Sequence, residues 1–153
     1  MNQFTGDQRD PPRDPAPAEA GATLFAFLEA ADQLYARIAQ ALARVGLSYP
    51  KYELLRCLRD AEAPVSLRVL ADCQQCARSN ITQLIDRLEA EGLVRRVDDP
   101  ADRRGVRAEI TPAGLALVEE GATQINAVRA QFAASFSAAE RAELGRLLAR
   151  IQE

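Results

Sequence analysis

Histidine and tryptophan are absent from the 153-residue chain, and aromatic residues make up only 5% of it. General acid–base chemistry near neutral pH relies mostly on imidazole, so its absence removes the commonest catalytic group. Ser–His and Cys–His nucleophile pairs are removed with it. None of the 8 glycines belongs to a phosphate-binding loop, and the carboxylates are spread over helix surfaces. These gaps argue against an enzyme. A structural zinc site takes four ligands, and three cysteines without histidine do not supply them. No metal and no other cofactor is expected. No apolar run reaches about 18 residues, so no membrane span is expected. The N-terminus lacks the basic-then-apolar pattern of a secretion signal, and the expected location is the cytoplasm.

What is present is leucine, alanine and helical periodicity. Residues 1–22 are rich in Pro, Asp, Gln and Arg and are read as a flexible tail, too polar to offset their ordering entropy. A long helix is expected from about Thr23 to Arg44, with Leu24, Phe27, Leu28, Leu34, Tyr35, Ile38 and Leu42 on one stripe. A second helix follows a Ser48 cap and runs to about Ala61. Val65 is read as a very short strand, and Ser66 caps the next helix. After about Ile110, Thr111 and Pro112 begin another long helix. Its Gly114 and Gly121 are expected to weaken it by about 1 kcal/mol each relative to Ala. Ser137 and Glu140 form a capping box that starts a final helix.

The most informative stretch is Val65 to Thr111. The helix from about Ala77 to Glu91 buries Ile81, Leu84, Ile85 and Leu88 at i, i+3, i+4, i+7 spacing. Its opposite face carries Ser79, Gln83 and Asp86, flanked by Asn80, Thr82 and Arg87. Short hydroxyls, amides and arginine can read base edges in a major groove. An ion pair with a neighbouring arginine is the expected resolution of Asp86 on such a face. Gly92 is the expected C-cap. Then Leu93–Val97 and Val106–Ile110 read as strands around the turn-rich loop DDPADRRG, with Arg103 and Arg104 near its tip. The expected fold class is mainly α, a winged helix-turn-helix with a small β-hairpin wing and long N- and C-terminal helices. Residues 48–110 are assigned to the winged module, and 23–47 with 111–153 to a helical dimerisation region.

Ser66, Arg78, Ser79, Asn80, Thr82, Gln83, Arg87, Arg103 and Arg104 are the candidate contacts to double-stranded DNA. Gln83 and Asn80 can pair with adenine and Arg87 with guanine or phosphate. Ser66 and Arg78 stand at helix starts, where free N–H groups bind phosphate. Arg103 is the candidate minor-groove finger, with Arg104 on flanking phosphates. The net charge of −3 runs against a uniformly basic surface. From Ser66 to Thr111 arginines and carboxylates balance, so a positive footprint requires placement. Arg95 and Arg96 are expected on the groove side with the others. The apolar stripes at both ends of the chain leave surface for a two-fold partner, and a homodimer would set two recognition helices about 34 Å apart. The neutral balance leaves open a winged helix used for protein–protein assembly.

The segments ARSNITQLIDRLEAEGLVRR and DPADRRGVRAEITPAG resemble the recognition helix and wing of the MarR (multiple-antibiotic-resistance regulator) family of bacterial transcription factors. The resemblance runs from about Leu24 to the end. It implies a homodimeric winged-helix repressor that binds a pseudo-palindromic operator and responds to a small molecule or to oxidation. In that family the effector lies between the dimerisation helices and the winged module. Phe27, Tyr35, Tyr49 and Tyr52 are the candidate contacts, suited to an aromatic or phenolic effector, or are simply core. Cys73 and Cys76 form a CxxC across the expected turn and are a candidate redox pair, or inert thiols. Oxidation-sensing family members place the reactive Cys near the start of the first long helix, and here that region reads TLFAFLEA.

Overall fold

The computed structural model describes residues 17–61, 63–74, 78–100 and 102–151, without the side chains of residues 17–20, 78 and 102–104. These residues form six helices and three strands: α1 (Pro17–Ala43), α2 (Tyr49–Arg59), β1 (Val65–Ser66), α3 (Leu67–Cys73), α4 (Arg78–Ala90), β2 (Val94–Asp99), β3 (Asp102–Ile110), α5 (Pro112–Ala134) and α6 (Ala138–Ala149). The architecture is a winged helix with added helices before and after it. The chain divides into two compact units, one ending at Tyr35 and the other starting at Ala36.

The first unit holds most of α1. The expected tail of residues 1–22 is corrected here, because the helix already begins at Pro17. Proline has its ring-fixed φ set for a first helical turn, and the alanines that follow extend it. Residues 1–16, the rest of that expected tail, lie outside the described residues. Leu24, Phe25, Phe27, Leu28 and Tyr35 are all exposed.

The second unit contains the core. Leu42, Leu54, Leu55, Leu70, Ile81, Ile85, Leu88 and Val118 are fully buried and belong to one cluster. Burying each such side chain contributes about 1.5–3 kcal/mol. The three strands form an antiparallel sheet in the order β1-β3-β2. Val65 pairs with Ala108, and Val94 with Ile110. Gly92 ends α4 at φ +72°. Its N–H donates to Glu89 O and that of Leu93 to Leu88 O, the paired bonds of a Schellman cap.

Gly114 and Gly121 correct the sequence reading that made them weak points. A Cβ on Gly114 would stand 2.1 Å from the Leu93 carbonyl oxygen. On Gly121 it would stand 2.9 Å from the Tyr52 ring. Helix propensity yields at both positions to close approach. The start of α5 also docks on the end of α4, where Thr111 N donates to Leu93 O and Thr111 Oγ1 to Gly92 O at 2.8 Å. The Ser137 capping box is present, with Ser137 N donating to Glu140 Oε2 at 2.8 Å. No helix among the described residues is long and apolar enough to cross a membrane.

Candidate nucleic-acid interface

The α4 helix exposes one polar face because its other face is consumed by the core. Ile81, Ile85 and Leu88 are fully buried and Leu84 is half-buried. At 100° per residue the remaining side must face outward. Ser79, Asn80, Thr82, Gln83 and Arg87 are all exposed. Ser79, Asn80, Gln83 and Arg87 make no side-chain hydrogen bond or ion pair with another described residue. Asn80, Gln83 and Arg87 line an open groove that Pro50 and Gln74 continue. The backbone of Arg78 begins α4, and its side chain is outside the described set.

Asp86 is held as expected. Arg96 on β2 donates through Nη2 to Asp86 Oδ1 at 2.5 Å. Its Nη1 donates to Glu89 Oε2, and its backbone N–H donates to Glu89 Oε1 at 3.0 Å. The hydrogen bond to Asp86, then that to Glu89, raises the Arg96 pKa above its ordinary value. Arg95 meets Glu109 across the sheet at 2.6 Å. The expectation that Arg95 and Arg96 add free positive charge on the groove side is therefore corrected. Both are neutralised locally, because β3 sets Glu109 opposite Arg95 and α4 presents Asp86 and Glu89 to Arg96. Strand register and the return of α4 over β2 make these pairs, and neither is visible in linear spacing.

Ser66 stands at the N-cap of α3, where its Oγ accepts from Val69 N at 3.4 Å. The hydroxyl proton is left for another acceptor. Arg107, which sequence reasoning passed over, lies inside the wing. Its Nε is 2.9 Å from Asp99 Oδ2, an ionic contact without hydrogen-bond alignment, and its Nη1 donates to Pro64 O at 3.3 Å. It ties the wing to the start of β1.

The wing differs from the expected long loop. β3 starts at Asp102, which pairs with Asp99. Register jumps from Val106 opposite Asp98 to Asp102 opposite Asp99. Arg103, Arg104 and Gly105 therefore occupy a bulge at the tip, a device that re-aims side chains. The side chains of Arg103 and Arg104 lie outside the described set.

Of the candidate effector contacts, Phe27 and Tyr35 are exposed on α1 in the first unit. Tyr49 is half-buried at the start of α2 in the second. Tyr52 is buried in the core, its ring against Gly121. Core filling is what its burial accounts for. The redox candidate is corrected in its partner: Cys73 is disulfide-bonded to Cys57 on α2, not to Cys76. Cys76 lies outside the described residues. The α2–α3 packing that joins them is not encoded in the CxxC spacing.

The profile of the MarR family matches residues 47–106. The chain is 29% identical over 109 residues to the HTH-type transcriptional regulator PecS of Dickeya dadantii, covering 70% of this chain and 66% of that protein. It thus spans just under two thirds of that relative. It is 29% identical over 125 residues to the homoprotocatechuate degradative operon repressor of Escherichia coli, covering 81% of this chain and 83% of the other. Among solved structures it resembles Sco3205, a MarR family transcriptional regulator from Streptomyces coelicolor in complex with DNA. The TM-score is 0.81 at 28% identity, covering 94% of this chain and 91% of that one. It also resembles Bordetella bronchiseptica BpsR, whose DNA binding is regulated by 6-hydroxynicotinic acid. There the TM-score is 0.74 at 27% identity, covering 84% of this chain and 91% of the other.

Proposed function

Since the chain belongs to the MarR family of transcriptional regulators, we propose that it binds double-stranded DNA sequence-specifically, as a homodimeric repressor on a pseudo-palindromic operator in the cytoplasm. One observation carries this reading. Ser79, Asn80, Gln83 and Arg87 stand exposed and unpaired on one face of α4, while nearby Arg95 and Arg96 are all engaged with carboxylates. Hydroxyl, amide and guanidinium groups gathered on one exposed helix face are the side chains that hydrogen-bond to base edges and phosphates.

In this reading Gln83 and Asn80 contact bases and Arg87 a guanine or phosphate. Ser66, Arg78, Ser79 and Thr82 take phosphates or thymine neighbours. Arg103 enters the minor groove and Arg104 the flanking backbone. Exposed Leu115, Phe132, Leu147 and Ile151 on or just beyond α5 and α6 support a second copy, because α6 has no buried residue in the single chain.

The same reading includes an aromatic or phenolic effector. The BpsR neighbour, regulated by 6-hydroxynicotinic acid, supports that class. Such a ligand must prefer the DNA-incompetent state, or it shifts nothing.

The test is binding to DNA upstream of the protein's own gene across a salt series. Specific binding weakens by about 0.9 log units per log unit of salt for each phosphate neutralised. Absent or salt-indifferent binding favours a protein–protein adaptor instead.

A further inference from the structure

Lys51 is the only lysine among the 19 basic residues of the chain. It stands in the first turn of α2, and its side chain is only 18% exposed. Its Nζ donates to both carboxylate oxygens of Glu91, to Oε2 at 2.7 Å, across 40 residues of sequence. Glu91 directly follows the last residue of α4. A cation is disfavoured at the N-terminal end of a helix, and an anion at the C-terminal end. Each charge therefore opposes its own helix and is favourable only against the end of the other. Such a pair acts as a joint between α2 and α4. The joint borders the exposed polar face of α4. Pro50, next to Lys51, lines the groove with Asn80, Gln83 and Arg87. The Glu91 N–H donates to Arg87 O at 3.0 Å, so Arg87 belongs to the turn that the joint holds. Arg96 grips Asp86 and Glu89 from the wing, and Lys51 holds the end of the same helix from α2.

We infer that Lys51 is a positioning residue: through Glu91 it fixes the C-terminal end of α4 to the first turn of α2, and so sets Gln83 and Arg87 in register for DNA. The consequence for DNA rests on the DNA-binding reading above. Without the joint the last turn of α4 loosens, and Arg87 moves with it. Base contacts need that register, whereas phosphate contacts to an unrelated sequence tolerate a shift. The ratio of affinities for the two kinds of DNA is therefore the sensitive quantity. It also cancels the general effect of a changed net charge, which acts on both DNAs alike.

The experiment compares the full chain with Lys51→Met, Glu91→Gln, the double variant of these two, and Lys51→Arg, which retains the charge. Each is titrated with DNA upstream of its own gene and with an unrelated duplex of equal length, and amide exchange is followed at residues 91–93. In Lys51→Met and in Glu91→Gln, exchange is expected to quicken, and the ratio of upstream to unrelated affinity to fall at least about fivefold, the lower end of what one base contact is worth. The double variant should lose no more than either single one, because both remove the same joint. Lys51→Arg should keep most of the ratio and of the protection. An unchanged ratio in the single variants overturns the inference, since Lys51 would then serve stability alone. So does a loss confined to Lys51→Met with a salt slope lower by about 0.9, which would make Lys51 a phosphate contact. If the unaltered chain shows no preference for the upstream DNA but the exchange differences are present, the joint stands and the DNA-binding reading falls.

Discussion

Arg96 of β2 grips Asp86 and Glu89 of α4 with the two arms of one guanidinium. The two carboxylates lie three residues apart on one helical flank, so a single strand residue sets the rotation of the recognition helix against the wing. The three side chains are only partly exposed. Arg96→Ala is expected to cost about 1 kcal/mol of stability and to weaken operator binding without changing its salt slope, because no phosphate contact is lost. Chemical denaturation and a salt titration of affinity check the two parts.

Gln83 and Arg103 should separate reading from holding. Gln83→Ala is expected to flatten discrimination at one position of each half-site, by about 1–3 kcal/mol. Arg103→Ala should weaken binding to all sequences and lower the salt slope by about 0.9 per phosphate contact removed. Competition with a set of single-substituted operators distinguishes the outcomes.

Gly114 is expected to tolerate no side chain. A Cβ there would meet the Leu93 carbonyl at 2.1 Å, and backbone cannot step aside without parting α5 from α4. Gly114→Ala should cost about 3 kcal/mol or more. Gly121→Ala, which presses on the Tyr52 ring and other side chains, should cost less, and gains about 1 kcal/mol of helix propensity in partial return. Thermal unfolding of both variants gives the order.

The final helix should be acid-sensitive. The backbone N–H of Ser137 holds the Glu140 carboxyl below its usual pKa, and Arg146 does the same for Glu143. With folded values below unfolded ones, the support is complete above the unfolded pKa and is lost as pH falls through the folded one. Protection of α6 amides, relative to their intrinsic exchange rate at each pH, should fall below about pH 4, and Glu140→Gln should remove much of that dependence. A flat exchange profile across that range contradicts the assignment.

Periodicity carried much of the fold. Ile81, Ile85 and Leu88 fell into the core as their spacing required, and Thr111-Pro112 and Ser137–Glu140 began helices as capping chemistry requires. The α4 face was legible for the same reason, being what remains once the buried stripe is assigned. Contacts between distant segments were not legible. Gly114 looked like a weak point because propensity is local, while its role depends on Leu93, far away in sequence. The pairing of Arg96 is not visible in spacing because its carboxylates lie back on α4, across the turn at Gly92. The Cys57–Cys73 pairing is not legible because Cys76 lies nearer to Cys73 in sequence. At the wing tip, turn residues predict a loop and do not reveal a bulge.

The most direct measurement is hydroxyl-radical footprinting of the complex on the upstream DNA, with and without Gln83→Ala. Two protected tracts one duplex turn apart, about 10–10.5 base pairs, with weakened protection in the variant, are expected. A single tract, or protection indifferent to Gln83, would mean that α4 does not face the duplex.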